Sequence, residues 1–408
     1  MQPAVKHSER RLRGLWLARE LPFPLDMGDK IYSANLARAL AEAGADVTFV
    51  GLKPSGAPVI PSDWPIRWEI VPGKARAPLA SLLSTMPMVA AAHATEAYRR
   101  RAAELADGGW DFVVLDQYAL GWALPLFKGK GAGSQVLIHV AHDHEASVVE
   151  SLYRGFRGSW IKRIVLWQNY VKTRRFEQRL ASSVDLLTAI TDEDADKFSR
   201  DAPGVRTVVL KPGYSGVISS RELISPGTPR RVILVGSFRW IAKQENLRQF
   251  VAVADPIFAE RGIEFQVVGS VPAEFAKELT RTAVATKILG FVSDIGPYLN
   301  NARIAVVPEV IGGGFKLKFL DYVFGRVPVA TLENATTGLP EEIRAAMLCC
   351  DDLRSLALGI ADLIDRLPEL NAMQETALRH AQSLFRWDDR GAALLASIRG
   401  CRAASCAD

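Results

Sequence analysis

The chain is 408 residues long, 49% apolar and 23% charged, with a formal net charge of +5 and four cysteines. That length exceeds one ordinary core and calls for two domains of roughly 150 to 200 residues each, and the balance of residue types excludes a disordered or fibrous chain. No run of about 18 uncharged apolar residues is present to cross a bilayer, the first residues lack the apolar stretch of a signal peptide, and the expected compartment is the cytoplasm.

In chain order, "RGLWLARE" (13–20) predicts a strand, "GDKIYSANLARALAEAG" (28–44) a helix closed by Gly44, and "DVTFVGL" (46–52) a second strand, together a β-α-β unit. "DFVVLDQ" (111–117), "SQVLIHVAH" (134–142) and "VDLLTAIT" (184–191) continue the series. Runs apolar on both faces and separated by helical periodicity predict a parallel sheet buried between helical layers. The polar stretch "SSRELISPGTPRR" (219–231), with proline and glycine and neither periodicity, reads as a linker. Beyond it the pattern restarts with strand "RVILVGS" (231–237), helix "ENLRQFVAVADPIFAER" (245–261) and strands "EFQVVGS" (264–270), "ARIAVVPE" (302–309) and "VPVATL" (327–332). The expected organisation is a first α/β domain over 1–218, the linker, a second α/β domain over 232–385 and a terminal helix over 386–408 that packs back on the first domain. Both domains read as doubly wound parallel sheets, and two such domains in tandem are expected to face each other across a cleft.

Ligands in such folds bind outside the carboxyl ends of the strands, so the loops after strands carry the information. After the first strand, Gly28 turns the chain into the helix that begins near Asp29, where backbone can come close to a phosphate or a sugar. His142, Asp143, His144 and Glu145 cluster after another strand, an acid/base or acceptor-orienting group. His139 lies within the strand itself, and the absence of HExxH spacing argues against a metal site. In the second half, Gly236 is followed by Arg239 and Lys243 ahead of a helix, two cations that suit a diphosphate. Gly312, Gly313 and Gly314 come after the strand "IAVVP" and before helical periodicity that starts at Phe315. Asp321 then falls about two turns into that helix, where one carboxylate can take two hydrogen bonds from vicinal hydroxyls such as those of a ribose.

Between Ser151 and Leu180 there are eight Lys or Arg residues, Arg157 among them, against one acid, Glu177, with Trp160, Trp167 and Tyr170 interleaved. Such a segment is either a cationic aromatic face for an anionic membrane surface or a solvated helix whose tryptophans pack inside. No nucleic-acid module accompanies the basic residues, so nucleic acid is not an expected partner. Cys349 with Cys350, and Cys401 with Cys406, show no metal spacing and read as free thiols.

Over almost its full length the chain resembles the GT-B glycosyltransferases, specifically glycosyltransferase family 4 and its members in bacterial polysaccharide and glycolipid assembly. The resemblance rests on "LPFPLDMGDKIYSANLARALAEAGADVTFVG", "HDHEAS", "ITDEDADKF", "VGSFRW" and above all "GFVSDIGPYLNNARIAVVPEVIGGGFKLKFLDYVFGRVPVAT". It implies a GT-B fold and transfer of a sugar from a nucleoside-diphosphate donor to a glycan, a lipid-linked or another hydroxyl acceptor. It further implies retention at the anomeric carbon, no metal, no cofactor beyond the donor, and a place in the cytoplasm or peripherally on the inner face of the cell membrane. By the family's motifs Asp321 stands at the ribose-binding glutamate of an E-x7-E pattern. Gly313 stands where the first glutamate is usual, a departure shared with a triple-glycine branch. Lys243 matches a phosphate-binding lysine, with Ser237 in place of the usual arginine and Arg239 to compensate. The implied donor site is Gly236, Arg239, Lys243, Gly312, Gly313, Gly314, Phe315, Lys316, Lys318 and Asp321. The acceptor side is Gly28, Asp29, His142, His144 and Glu145, and His142, Asp29 and Lys243 are the expected catalytic groups. Two other readings stay open: an epimerase on the same architecture, with Glu145 and Asp116 as its acid and base, and a non-catalytic interaction protein.

Overall fold

The computed structural model describes residues 10–53, 60–76, 84–129, 135–156 and 158–405. Arg157 and Cys406 lie outside the described residues, as does the start of the chain to residue 9. The fold divides into two compact units, residues 1–211 with 387–408, and residues 212–386.

Among the described residues unit 1 has seven strands: β1 (Arg13–Glu20), β2 (Asp46–Leu52), β3 (Ile66–Val71), β4 (Phe112–Asp116), β5 (Val136–Val140), β6 (Leu186–Ala189) and β7 (Arg206–Val209). They form one sheet in the order β3-β2-β1-β4-β5-β6-β7. Every pairing in it is parallel. β4 and β5 are buried at every position, which is why they read as apolar runs whose polar residues are Asp116 at the end of β4 and His139 within β5. β1 departs from regular pairing with β2 between Leu17 and Glu20. The Tyr98 hydroxyl sits at that irregularity, 2.6 Å from the Ala18 carbonyl and 3.0 Å from that of Val50. The helix Gly28–Glu42 follows β1 and is closed by Gly44 at φ +112°, a conformation that glycine enters without a Cβ penalty. The C-terminal helix Trp387–Ser405 packs on it so closely that a Cβ at Gly391 would lie 2.1 Å from the Ala39 carbonyl. Arg390 fastens the same helix by donating to the Lys211 carbonyl at 2.7 Å.

Unit 2 has six parallel strands: β8 (Arg231–Val235), β9 (Glu264–Val268), β10 (Thr286–Gly290), β11 (Ile304–Val307), β12 (Val329–Leu332) and β13 (Leu348–Cys350), in the order β10-β9-β8-β11-β12-β13. Its core centres on Phe250, Phe258, Phe265, Phe319 and Tyr322, all removed from solvent. The boundary between the units falls at Lys211 and Pro212, ahead of the stretch expected as a linker. Residues 219–231 belong to unit 2 because Arg221 donates to the carbonyls of Asn300 and Ala302 at 3.0 and 2.8 Å, and Ile224 is buried in the core.

In both sheets the strand order reverses once, between β1 and β4 and between β8 and β11. At those two points neighbouring strands send their following loops to opposite sides and open a crevice at the carboxyl end.

Candidate functional site

In unit 2 the crevice between β8 and β11 is lined by Gly236, Phe238, Lys243, Asn246, Pro308, Glu309 and Lys318, among others. Gly236 directly follows β8, and Gly269 (φ +129°) runs so close to it that any Cβ there would strike the Gly236 carbonyl at 1.9 Å. Lys318 reaches over Gly236: a Cβ built on that glycine would lie 3.6 Å from Lys318 Nζ. The same ammonium pairs with Glu309 Oε1 at 2.5 Å, with about a tenth of each side chain exposed (12% and 11%). Burial works to raise the Glu309 carboxyl, but Lys318, then Lys316 and Lys243, hold it below the ordinary carboxylate range. Lys316 is itself buried and donates to the Gly314 carbonyl at 3.3 Å.

The glycine loop is tied down from the side by Asn246. Its Oδ1 accepts from the Val310 and Ile311 amides at 3.1 and 2.9 Å, and its Nδ2 donates to the Ile311 carbonyl at 2.7 Å. Gly312 (φ +144°) and Gly314 (φ +66°) adopt backbone conformations that side chains rarely enter.

The helix after this loop starts later than the apolar periodicity indicates, at Lys318 rather than Phe315, and ends at Phe324. Residues 315–317 are drawn into the core instead: Phe315 lies 5.7 Å from the Phe385 ring and Leu317 packs on the same cluster. Asp321 therefore falls in the first turn of the helix, not two turns in. Its carboxylate is half-buried and takes no hydrogen bond and no ion pair among the described residues. Burial pushes it up to about 6, and Lys318 offsets only part of that. Of the residues expected in the donor site, Gly236, Lys243 and Lys318 line one crevice. Arg239 is exposed outside that lining, next to the exposed Trp240.

In unit 1 the crevice between β1 and β4 is lined by Arg19, Glu20, Asp29, Lys30, Ser33, Asp116 and Gln117, among others. Gly28 and Asp29 open the helix Gly28–Glu42 beside it. Asp29 pairs with Arg19 and accepts from Gln117 Nε2 at 3.4 Å. Burial works against its ionised form, but Arg19 leads the groups that keep it below the usual carboxylate range. Gln117 stands at φ 67° and ψ 155° just past β4, a region that non-glycine residues enter only at a cost.

His142 stands behind this wall, 8% exposed. Its Nε2 meets Asp116 Oδ1 at 2.8 Å and Ser33 Oγ at 3.4 Å, and its Nδ1 lies 3.3 Å from Gln117 Nε2. The second Asp116 oxygen accepts from Trp16 Nε1 at 2.8 Å, so the carboxylate is held on both sides. Burial favours the neutral ring, yet Asp116, by charge and hydrogen bond, raises the His142 pKa above its ordinary value. His144 turns away to Ser147 Oγ and Asp201 Oδ2, at 2.7 and 3.1 Å, and burial lowers its pKa. Glu145 begins the helix Glu145–Gly155, where burial and the neighbouring Asp143 push its carboxyl up to about 7. His139 is fully buried in β5 and its pKa is lowered to about 4 by that burial.

Sequence reasoning passed over Arg19, Ser33, Gln117, Asn246 and Glu309 as site residues. Arg19, Gln117 and Glu309 each sit at the carboxyl end of a stretch that reads as a strand, and that placement is the signal by which they are found.

The helix Trp160–Ala181 carries the basic aromatic segment. Residues turn by about 100° along a helix, so Trp160, Ile161, Ile164 and Trp167 share one face, at 71%, 57%, 53% and 50% exposure. The tryptophans thus do not pack inside. Arg174, Arg175 and Arg179 continue the same face, while Thr173, Glu177 and Leu180 bury the opposite one. Among the described residues no helix is long and apolar enough to cross a membrane.

Two family models match the chain: a glycosyl transferase 4-like domain over residues 28–213, and glycosyl transferases group 1 over residues 229–366. No curated protein sequence matches it. Among solved structures it is similar to sucrose-phosphate synthase from Thermosynechococcus elongatus, at 18% identity and a TM-score of 0.71, over 97% of this chain and 100% of that one. WaaG, a glycosyltransferase involved in lipopolysaccharide biosynthesis, aligns at 16% identity and a TM-score of 0.67, over 94% and 99%. Anabaena HepE in complex with UDP and glucose aligns at 14% and 0.64, over 96% and 100%.

Proposed function

Because the chain belongs to the group 1 and 4-like glycosyltransferases of the GT-B fold, we propose that it moves a sugar from a nucleoside-diphosphate donor held by unit 2 to a hydroxyl acceptor received by unit 1. The observation that carries this reading is the Asp321 carboxylate, half-buried and without a hydrogen-bond donor, on the helix that also presents Lys318 to the β8/β11 crevice. A buried carboxylate left unpaired is costly, and two vicinal ribose hydroxyls would satisfy it. The bond between the anomeric carbon and the diphosphate breaks with its electron pair on oxygen. Lys243, Lys316 and Lys318 would meet that growing charge, so the transfer needs no metal. The acceptor hydroxyl makes the new bond, with retention, and its proton passes to the departing diphosphate oxygen, which loses it to water as the product leaves.

Asp29 and Arg19 would meet the acceptor, with Gln117 placed between Asp29 and His142. His142 works from behind as a positioning group, because its ring nitrogens already face Asp116, Ser33 and Gln117. The same arrangement weighs against an epimerase, which needs a proton-transferring pair: both Asp116 oxygens are engaged.

The test is a thermal-shift screen against UDP-, GDP-, ADP- and TDP-sugars with each free nucleotide as control. One of these pairs should stabilise unit 2 by about 2.7 to 4 kcal/mol at a hundred to a thousand times its dissociation constant. No shift with any of them would leave the non-catalytic reading standing.

The acceptor is proposed to be a glycan or lipid-linked, with the enzyme peripheral on an anionic membrane surface through the exposed face of the helix Trp160–Ala181. An apolar end followed by arginines suits insertion at the headgroup boundary with cations among anionic lipids. Vesicles with about a third anionic lipid should sediment the protein, and neutral ones should not. Replacing Trp160 and Trp167 together by serine should cut that binding about tenfold, from the loss of buried indole area. Equal binding to neutral vesicles would refute the electrostatic part.

A further inference from the structure

We propose that Glu309 tunes the β8/β11 crevice to prefer the diphosphate ester of a sugar donor over the free nucleoside diphosphate that remains after transfer. The inference rests on the reading of this crevice as the donor site.

A pocket meant only to hold an anion tightly has no use for a carboxylate, yet one is built in. Glu309 follows the carboxyl end of β11, at the reversal point of the sheet, and lines the crevice with Gly236, Lys243 and Lys318. Its Oε1 is 2.5 Å from Lys318 Nζ, and its Oε2 is 3.6 Å from where a Cβ on Gly312 would stand, so the carboxylate lies between the glycine loop and the lysine over Gly236. It is nearly buried and remains ionised, because Lys318, Lys316 and Lys243 surround it. Three lysines face Glu309 here, and Asp321 is a second carboxylate within reach of Lys318, so the acids already answer part of the positive charge.

A donor's diphosphate, esterified at both ends, carries one negative charge per phosphate, the smaller load that a cluster partly neutralised by its own carboxylates can meet. Once the glycosyl bond breaks, the terminal phosphate becomes a monoester that ionises again near neutral pH. The product's additional charge has no counterpart, and it faces Glu309 across Lys318. Lys318 is then contested between the product and its own partner, and the ion pair re-forms as the product leaves. Glu309 is in this sense a positioning residue for Lys318 and a specificity-determining one for the charge of the ligand.

The experiment is a calorimetric titration of wild type, E309Q and E309D with UDP, GDP, ADP and TDP and with the glucose ester of each, followed for the base that binds. Wild type should bind the free diphosphate no more tightly than its ester. Glu309→Gln should tighten the free diphosphate about tenfold and the ester by about threefold at most, since the product alone carries the unmatched charge. Product inhibition should deepen in parallel, and E309D should restore the wild-type preference. Wild type binding the free diphosphate more than tenfold tighter than the ester would overturn the inference without any variant. So would E309Q weakening both ligands equally, which would make Glu309 an anchor for Lys318 and nothing more. If no nucleotide binds wild type at all, the donor-site reading itself has failed.

Discussion

Asp321→Asn should abolish useful donor binding and make the protein more stable. The binding loss follows from exchanging an acceptor of two charge-assisted hydrogen bonds for an amide that accepts more weakly; about 3 kcal/mol, or roughly a hundredfold in affinity, is the expected scale. The stability gain follows from linkage. The Asp321 carboxyl is raised to about 6 in the fold from its ordinary 3.8, chiefly by burial. A folded pKa above the unfolded one means that the native state binds the proton more tightly. The resulting stabilisation is full below the unfolded pKa and is lost as pH rises through the folded one, here between about 4 and 6. At neutral pH the group is ionised and half-buried without a partner, and an amide of the same shape avoids that cost. Discounting the shift for partial solvent screening, the variant should gain about 1 to 2 kcal/mol, which is a few degrees in the melting temperature of a unit this size. Donor affinity of the wild type should also fall as pH drops below about 6, because the protonated acid accepts poorly. Calorimetric titration and thermal melts across pH 5 to 8 check both halves. A variant that keeps full nucleotide affinity would remove Asp321 from the site.

Lys243→Ala should cost the diphosphate and spare the nucleoside. Lys243 is the third residue of the helix Ile241–Glu260 and lines the crevice beside Gly236. Its charge reaches Glu309, which places it within the same electrostatic cluster as Lys318 and Lys316. Removing one cation from a partly desolvated phosphate site is expected to weaken a nucleoside diphosphate by about 10- to 100-fold, since hydrogen bonds to charged groups contribute roughly 1.5–3 kcal/mol. Turnover should fall further, by up to about a hundredfold more, because the leaving group gains charge only as the glycosyl bond breaks. The free nucleoside, without phosphates, should bind unchanged. Parallel titrations of the nucleoside and its diphosphate provide the check, and an equal loss for the two would mean that the phosphates lie elsewhere.

How far the fold was readable varies from strand to strand for one reason. The central strands β1, β4, β5, β8, β9 and β11 are covered on both faces, so their sequences are mostly apolar, with one buried polar residue inside β5 (His139) and one inside β9 (Gln266), and their limits are close to those observed. The strands that escaped the reading, β3, β7, β10 and β13, are the four sheet edges. "IRWEIV" and "TKILG" mix exposed and buried positions, because an edge has one side open to water and needs fewer apolar residues. The start of the helix at Lys318 was misplaced for a related reason. Phe315 and Leu317 are apolar because the loop before the helix packs on Phe385 and the core, and that spacing mimics helical periodicity.

From the sequence alone came the two parallel α/β layers, the family, the glycine loop and the lysines and carboxylate around it, because these depend on local pattern and on residue type. The tertiary structure decided which of those groups share a crevice. It set Glu309 against Lys318, engaged both oxygens of Asp116 with Trp16 and His142, left Asp321 without a donor and turned Trp160 and Trp167 outward. Each of those outcomes is a matter of distances across the chain and of how much water remains nearby, which residue order does not encode directly and which governs the charge a side chain carries.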